Sequence, residues 1–247
     1  MSAPRPGGLR ARYVRRVTPA DVGRRVSIRS LTDGADDGPT VTDLVARLLA
    51  FDDDTMLLVD RDGQLHVLDP GRVVASRVVP PHPRLPPEPE VGTREQPLVR
   101  EAARVLLLDP NDQVLLVSHV PAAGRRVWTA PGGGLRPGED HATAARRELV
   151  EELGVAVTLG PWVWSRRVVF PFRGVWLDQA ERWFLARVAG LDPAHVPLDD
   201  PATDAARWWS VDELATTGDV LAPAAFAADL TRLLAEGPGT TPRRVGR

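Results

Sequence analysis

The sequence predicts two folded units of different class: a small all-β barrel over residues 10–79 and an α+β domain over residues 98–236, built as an α/β/α sandwich on a mixed sheet. Three observations carry this. Residues 80–97, PPHPRLPPEPEVGTREQP, are proline-rich and polar without apolar periodicity, as in an extended linker. Upstream, short β-rich runs alternate with turn signals and no helical period is present. Downstream, strands and helices mix, and a strongly marked helix spans about 140–153.

In the first unit the strands are expected at Arg24–Leu31, Val41–Phe51, Met56–Arg61, Gln64–Leu68 and Val73–Val79. Asp62-Gly63 marks a hairpin and Asp69-Pro70-Gly71 a second turn. Five short strands in so few residues suit a small barrel. In the second unit the order is Ala103–Leu108, a turn at Asp109–Asp112, Gln113–His119, then Val127–Ala130 running into Pro131-Gly132-Gly133-Gly134. After the helix come strands near Val155–Val157, Trp162–Phe170, Arg182–Val188 and Ala206–Ser210, and a last helix near Pro223–Leu234. Residues 1–9 and 237–247 are expected to fray.

Composition excludes several chemistries. The chain has 247 residues, 43% of them apolar, so a real core is available. It contains no cysteine, which removes disulfides, thiolate metal sites and cysteine nucleophiles. Every one of the 31 basic residues is Arg, which removes Schiff-base lysines. A net charge of −2 argues against nucleic-acid binding through sheer basicity. No stretch has the roughly 18 apolar residues of a membrane span, and the basic opening lacks the apolar core of a signal peptide. The expectation is a cytoplasmic protein, with the barrel available for a protein partner or a homodimer.

The helix at 140–153 is legible by itself. Asp140 is a good N-cap, and Gly154 stands where a left-handed residue after the helix is favoured. Ala142, Ala145, Leu149 and Leu153 form an apolar stripe. Glu148, Glu151 and Glu152 stand at i, i+3 and i+4, so three carboxylates leave one face. Like charges so placed repel, and a cation among them is expected. Hard oxygens without His or Cys select Mg²⁺ or Mn²⁺ rather than Zn²⁺.

The run GGLRPGEDHATAARRELVEELGV places Gly133, Glu139, Arg147-Glu148-Leu149, Glu151-Glu152 and Gly154-Val155 at fixed offsets, and this pattern resembles a Nudix box. Seven of these are specified identities, Leu149 and Val155 needing only to be apolar, and seven such identities coincide by chance on the order of once in 10⁶ chains. The resemblance implies hydrolysis of a phosphate–phosphate bond in a nucleoside diphosphate derivative. It implies that Glu148, Glu151 and Glu152 bind metal with the Gly132 carbonyl, that Arg147 orients the acids, and that Glu139 has a role that varies between members. Water, activated by metal and a carboxylate base, attacks one phosphorus. The base is a box glutamate or an acid on a later loop, for which Glu181 and Asp178 are the candidates. Trp164, Arg166 and Arg182 are candidates for holding substrate, although Trp162 and Trp164 alternate along a strand and core packing explains them as well. Two substrate classes stay open, an oxidised nucleoside triphosphate and a nucleoside diphosphate sugar, as does a non-catalytic nucleotide sensor. A Nudix-like isomerase is set aside for want of a cysteine. The segments VGRRVSIR and DLVARLLAFDDDTMLLVDRDGQ resemble the Src-homology-3-like barrel that precedes an acetyltransferase domain in some actinobacterial proteins.

Overall fold

The structure, a computed structural model, describes residues 14–33, 39–80, 92–119, 126–136, 138–197 and 203–246. The expected disorder of residues 1–9 and most of the expected linker at 80–97 lie outside the described residues. The chain divides into two compact units, one of residues 1–92 with 173–175 and the other of residues 93–172 with 176–247.

The first unit contains β1 (Arg25–Asp33), β2 (Pro39–Phe51), β3 (Met56–Val59), β4 (Leu65–Leu68) and β5 (Val73–Val78), paired in the order β4-β3-β2-β1-β5. All the pairings are antiparallel. Val26, Ile28, Leu48, Met56, Leu58 and Val73 share one core. The expected barrel is not found, because the sheet does not close. Closure needs β4 to meet β5, and the outer edge of β5 is already occupied: the Ser76 N–H donates to the Val14 carbonyl at 3.1 Å and the Arg16 N–H to the Ser76 carbonyl at 3.1 Å. The Ser76 hydroxyl also accepts from the N–H groups of Arg16 and Val17. This pairing takes up the outward backbone groups of Ser76, in the middle of the edge that a closing strand would need.

The second unit contains β6 (Leu98–Leu108), β7 (Val114–His119), β8 (Val127–Thr129), β9 (Gly132–Gly134), α1 (His141–Leu153), β10 (Leu159–Phe172), β11 (Val175–Arg187), β12 (Thr203–Trp209), α2 (Val211–Thr216), β13 (Val220–Ala222), α3 (Phe226–Glu236) and β14 (Arg243–Arg244). Its mixed sheet runs β13-β8-β7-β6-β11-β10-β14, with β12 also on β7 and β9 also on β6. β6 and β11 are parallel over eleven residues, from Leu98 beside Leu177 to Leu108 beside Arg187. Because side chains alternate along β6, one face sends Ala103, Val105 and Leu107 to Ala144, Ala145, Leu149 and Leu153 of α1. The other face sends Leu106 and Leu108 to Trp164, Trp183 and the α3 residues Phe226, Leu230 and Leu233.

Several boundaries differ from the sequence reading. No strand forms at Val155–Val157; that segment is irregular, and both valines rest part-buried on the α1 core. In the tail expected to fray, Arg243–Arg244 pair in parallel with Trp164–Ser165, and Val245 is buried. Among the described residues no helix is long and apolar enough to cross a membrane.

Candidate active site

α1 holds its acids in fixed positions because both of its ends are capped. The Asp140 carboxylate accepts from the Thr143 N–H at 2.8 Å, and Gly154 takes a left-handed φ of 67° with its N–H on the last-turn carbonyls. Burial of Leu149 and Leu153 against β6 contributes about 1.5–3 kcal/mol each. Ala144, rather than Ala142, completes the buried stripe.

Arg147 gathers the acids. Its Nε and Nη2 donate to the two Glu139 oxygens at 2.8 Å each, its Nη1 donates to Glu148 Oε1 at 2.7 Å and Glu151 Oε2 at 2.9 Å, and Nη2 also reaches the Gly134 carbonyl at 3.0 Å. One guanidinium thus anchors three carboxylates and the glycine strand. Burial opposes the charge on Arg147, but Glu139, Glu148 and Glu151 outweigh it and push its pKa up. Hydrogen bonding from Arg147 holds Glu139 below the ordinary carboxylate range. Glu148 moves the other way: burial pushes it up against the pull of Arg147.

β9 lies against these acids through its glycines. The Gly132 N–H donates to Glu152 Oε2 at 2.9 Å. A Cβ on Gly133 would collide with the Glu148 carboxylate, and one on Gly134 with the Arg100 guanidinium. Gly132, at φ 137°, has no room for a Cβ beside the Ala103 carbonyl. Glu148 and Glu152 therefore flank one short backbone segment, and the absence of side chains there forms a cradle.

Residues 98–230 match the NUDIX domain family. The chain belongs to the Nudix family. Curated relatives include an RNA pyrophosphohydrolase of Erythrobacter litoralis, 32% identical over 133 residues, which are 47% of this chain and 78% of that protein. Another RNA pyrophosphohydrolase, from Rhodospirillum rubrum, is 30% identical over 138 residues, 52% of this chain and 82% of that protein. Among solved structures, the E. coli ORF135 protein aligns with a TM-score of 0.41 at 23% identity, covering 57% of this chain and 94% of that one. The second unit is thus a Nudix hydrolase, a pyrophosphohydrolase by class, with an antiparallel sheet of no assigned family before it.

The Nudix family typically works with divalent metals. Three hard carboxylates on one helix and a side-chain-free cradle beside Glu148 fit such an ion. Among the described residues, no three His, Asp or Glu groups are yet close enough together to cage one. Their oxygens are turned to N–H donors instead, those of Arg147 and Gly132 and, for Glu151, Arg136 Nη2 at 2.7 Å.

The residues proposed from outside the Nudix box are placed differently from expectation. Glu181 is not on a loop; it lies within β11, is 3% exposed and has both oxygens engaged. Burial pushes its pKa up, but Arg104 and Arg166 more than reverse this and keep it ionised, which leaves it a poor proton acceptor for an incoming water. Asp178 is clasped by Arg167 at 2.7 and 2.5 Å, which holds its pKa down. Trp164, expected to hold substrate, is 1% exposed and packs on Trp183 and Phe226. Arg166 turns inward to Glu181 at 3.5 Å, and Arg182 lies 4.5 Å over the Trp162 ring.

Arg100 and Arg104, both on β6, are the residues that the sequence reading missed. Arg100 makes no hydrogen bond or ion pair with any described residue; its guanidinium stands beside Gly134 and 6.0 Å over the Phe172 ring. Burial pushes its pKa down, and the nearby Glu148 only partly offsets this. In a chain whose every basic residue is Arg, nothing in composition singles these two out.

Proposed function

We propose that the Nudix domain hydrolyses a phosphoanhydride bond in a nucleoside diphosphate derivative, either a nucleoside triphosphate or a nucleoside diphosphate sugar, with Mg²⁺ or Mn²⁺. The observation that carries this reading is the Arg147 clasp on Glu139, Glu148 and Glu151 beside the Gly132–Gly133 cradle. Glu148, Glu151 and Glu152 would hold the cation. When bound, it would neutralise charge on the phosphates and acidify water.

The chain's own groups supply the rest. Arg147 keeps the glutamates from splaying apart under their mutual repulsion. Glu148 Oε2, the oxygen that Arg147 does not engage, is the proton acceptor we favour, because it borders the side-chain-free cradle at Gly133. Arg100, a part-buried cation hydrogen-bonded to no described residue, suits a phosphate oxygen of the substrate. The triphosphate end of an RNA presents the same chemistry as a free nucleoside triphosphate. A net charge of −2 for the whole chain does not speak against it, since the recognition is local.

The test is release of phosphate, pyrophosphate or nucleoside monophosphate from an oxidised nucleoside triphosphate, a nucleoside diphosphate sugar and a triphosphate-ended RNA, with and without Mg²⁺. One class is expected to turn over only with the metal. Glu151→Gln and Glu152→Gln should each lower kcat at least about 100-fold with the melting temperature preserved. Turnover that survives both substitutions would show the site to be elsewhere.

A further inference from the structure

The face of β6 and β11 turned away from α1 carries a charged cluster that lies outside the Nudix box. Glu181 sits beside Ala102 in the parallel register, with Arg104 and Trp183 the next pair along on the same face. Four donors surround its carboxylate. Arg104 Nε at 3.1 Å and Gln179 Nε2 at 2.8 Å reach Oε1; Trp183 Nε1 at 2.9 Å and Arg166 Nη1 at 3.5 Å reach Oε2. Arg104 also extends beyond the cluster: its Nη1 donates to the Ala130 carbonyl at 2.7 Å and to the Gly132 carbonyl at 3.3 Å. The same Gly132 residue is held from its other side, where its N–H donates to Glu152 at 2.9 Å.

We propose that Arg104 and Glu181 are a positioning pair. Glu181 orients and neutralises Arg104, Arg104 pins the carbonyls on both sides of Pro131, and the pinned Gly132 holds Glu152 where the cation is to bind. The cation in this statement rests on the hydrolase reading above; the clasp rests on the contacts alone. Stability by itself is a weak reason for the cluster, since well-packed apolar side chains often replace a buried ion pair without loss. Its hydrogen bonds to the backbone before β9 give it a second task. Arg104 also places a positive charge near the site of a dication, and the Glu181 carboxylate at 3.1 Å cancels most of that repulsion.

Two measurements on the full chain test this: hydrogen exchange of the Gly132 amide in metal-free protein, by NMR, and the Kd for Mn²⁺, by electron paramagnetic resonance of the free ion. In Arg104→Met, Gly132 exchange should quicken about tenfold or more and the Mn²⁺ Kd should rise about 10–100-fold, the usual range for losing a group that orients a metal ligand. Glu181→Gln should raise the Kd as well, because two guanidinium groups then lack their counter-charge. Arg187→Gln, which breaks a surface pair with Asp112, should change neither reading. A folded Arg104→Met with wild-type exchange and wild-type Kd overturns the proposal. If that variant does not fold, Arg104→Lys decides: a lysine keeps the charge but cannot span Glu181 and the carbonyls together, so an unchanged Kd there overturns it equally. A wild type that binds no Mn²⁺ sinks the hydrolase reading and the cation half of this inference. Intact binding with unaltered exchange sinks the clasp alone.

Discussion

A methyl group added at Gly132 meets backbone, whereas one added at Gly133 meets only the end of a flexible side chain. The first cannot be accommodated: the Ala103 carbonyl is fixed in β6, and φ at Gly132 is 137°. Gly132→Ala should therefore destabilise the protein by about 2–4 kcal/mol, read as a fall in denaturation midpoint. Gly133→Ala should displace the Glu148 carboxylate instead, leaving stability within about 1 kcal/mol of wild type and lowering kcat by at least about tenfold. Equal stability losses in the two variants would mean that the cradle has no special relation to Glu148. Arg100 makes a third case. Its replacement by Gln removes a part-buried cation that forms no ion pair with a described residue, so KM should rise several-fold while the melting temperature holds or increases. An unchanged KM would exclude Arg100 from substrate binding. The spacing of Glu139, Arg147, Glu148, Glu151 and Glu152 was legible in the sequence because all five lie on or next to one helix, where separation along the chain sets separation in space. Arg100 and Arg104 were not, since they reach the site across strand pairing.

At the level of elements, legibility follows how locally each is specified. α1 is written into its own residues, from Asp140 through the apolar stripe to Gly154. Asp140→Ala should cost about 1 kcal/mol by loss of the cap on the Thr143 N–H, seen in a denaturant titration. β9 is three glycines with no β signal of their own, and it becomes a strand only because β6 offers Ala102, Ala103 and Arg104 as partners. The first unit's strands were likewise readable from their turns, while its failure to close depends on Val14–Arg16 covering β5, a contact between residues some sixty positions apart. Glu181 was read as a loop acid because β11 was expected to begin at Arg182, whereas it begins at Val175. Its pairing with Arg104 and Arg166, which outweighs the effect of burial, has a consequence for pH. The folded-state pKa is depressed, so its contribution to stability is present above the unfolded value of about 4.3 and is lost as pH falls through the lower folded value. The difference in melting temperature between wild type and Glu181→Gln should thus be greatest above about pH 5 and shrink on acidification below about pH 4. A difference that stays constant across that range would show that the carboxylate charge is not what Arg104 and Arg166 rely on.

For the whole molecule, the decisive feature is that the cores do not share residues. The first unit's core draws on Val17 through Val78, and the two cores of the Nudix domain draw on Ala103 through Val245. Both faces of the central sheet are thus covered from within the second unit, by α1 on one side and α3 on the other. The groups that would hold cation and substrate, from Arg100 to Glu152, also come from that unit alone. A domain with its own closed cores and its own site should fold and work when separated. Residues 93–247 expressed alone should therefore give a cooperative thermal transition and the kcat and KM of the full chain for whichever substrate the panel identifies. Full-length protein should then show a second transition belonging to residues 14–80. A fragment that folds with the same transition but loses activity would assign the first unit a part in catalysis that its own residues do not suggest, and a fragment that fails to fold would show that the cores, although separate in composition, are not separate in stability.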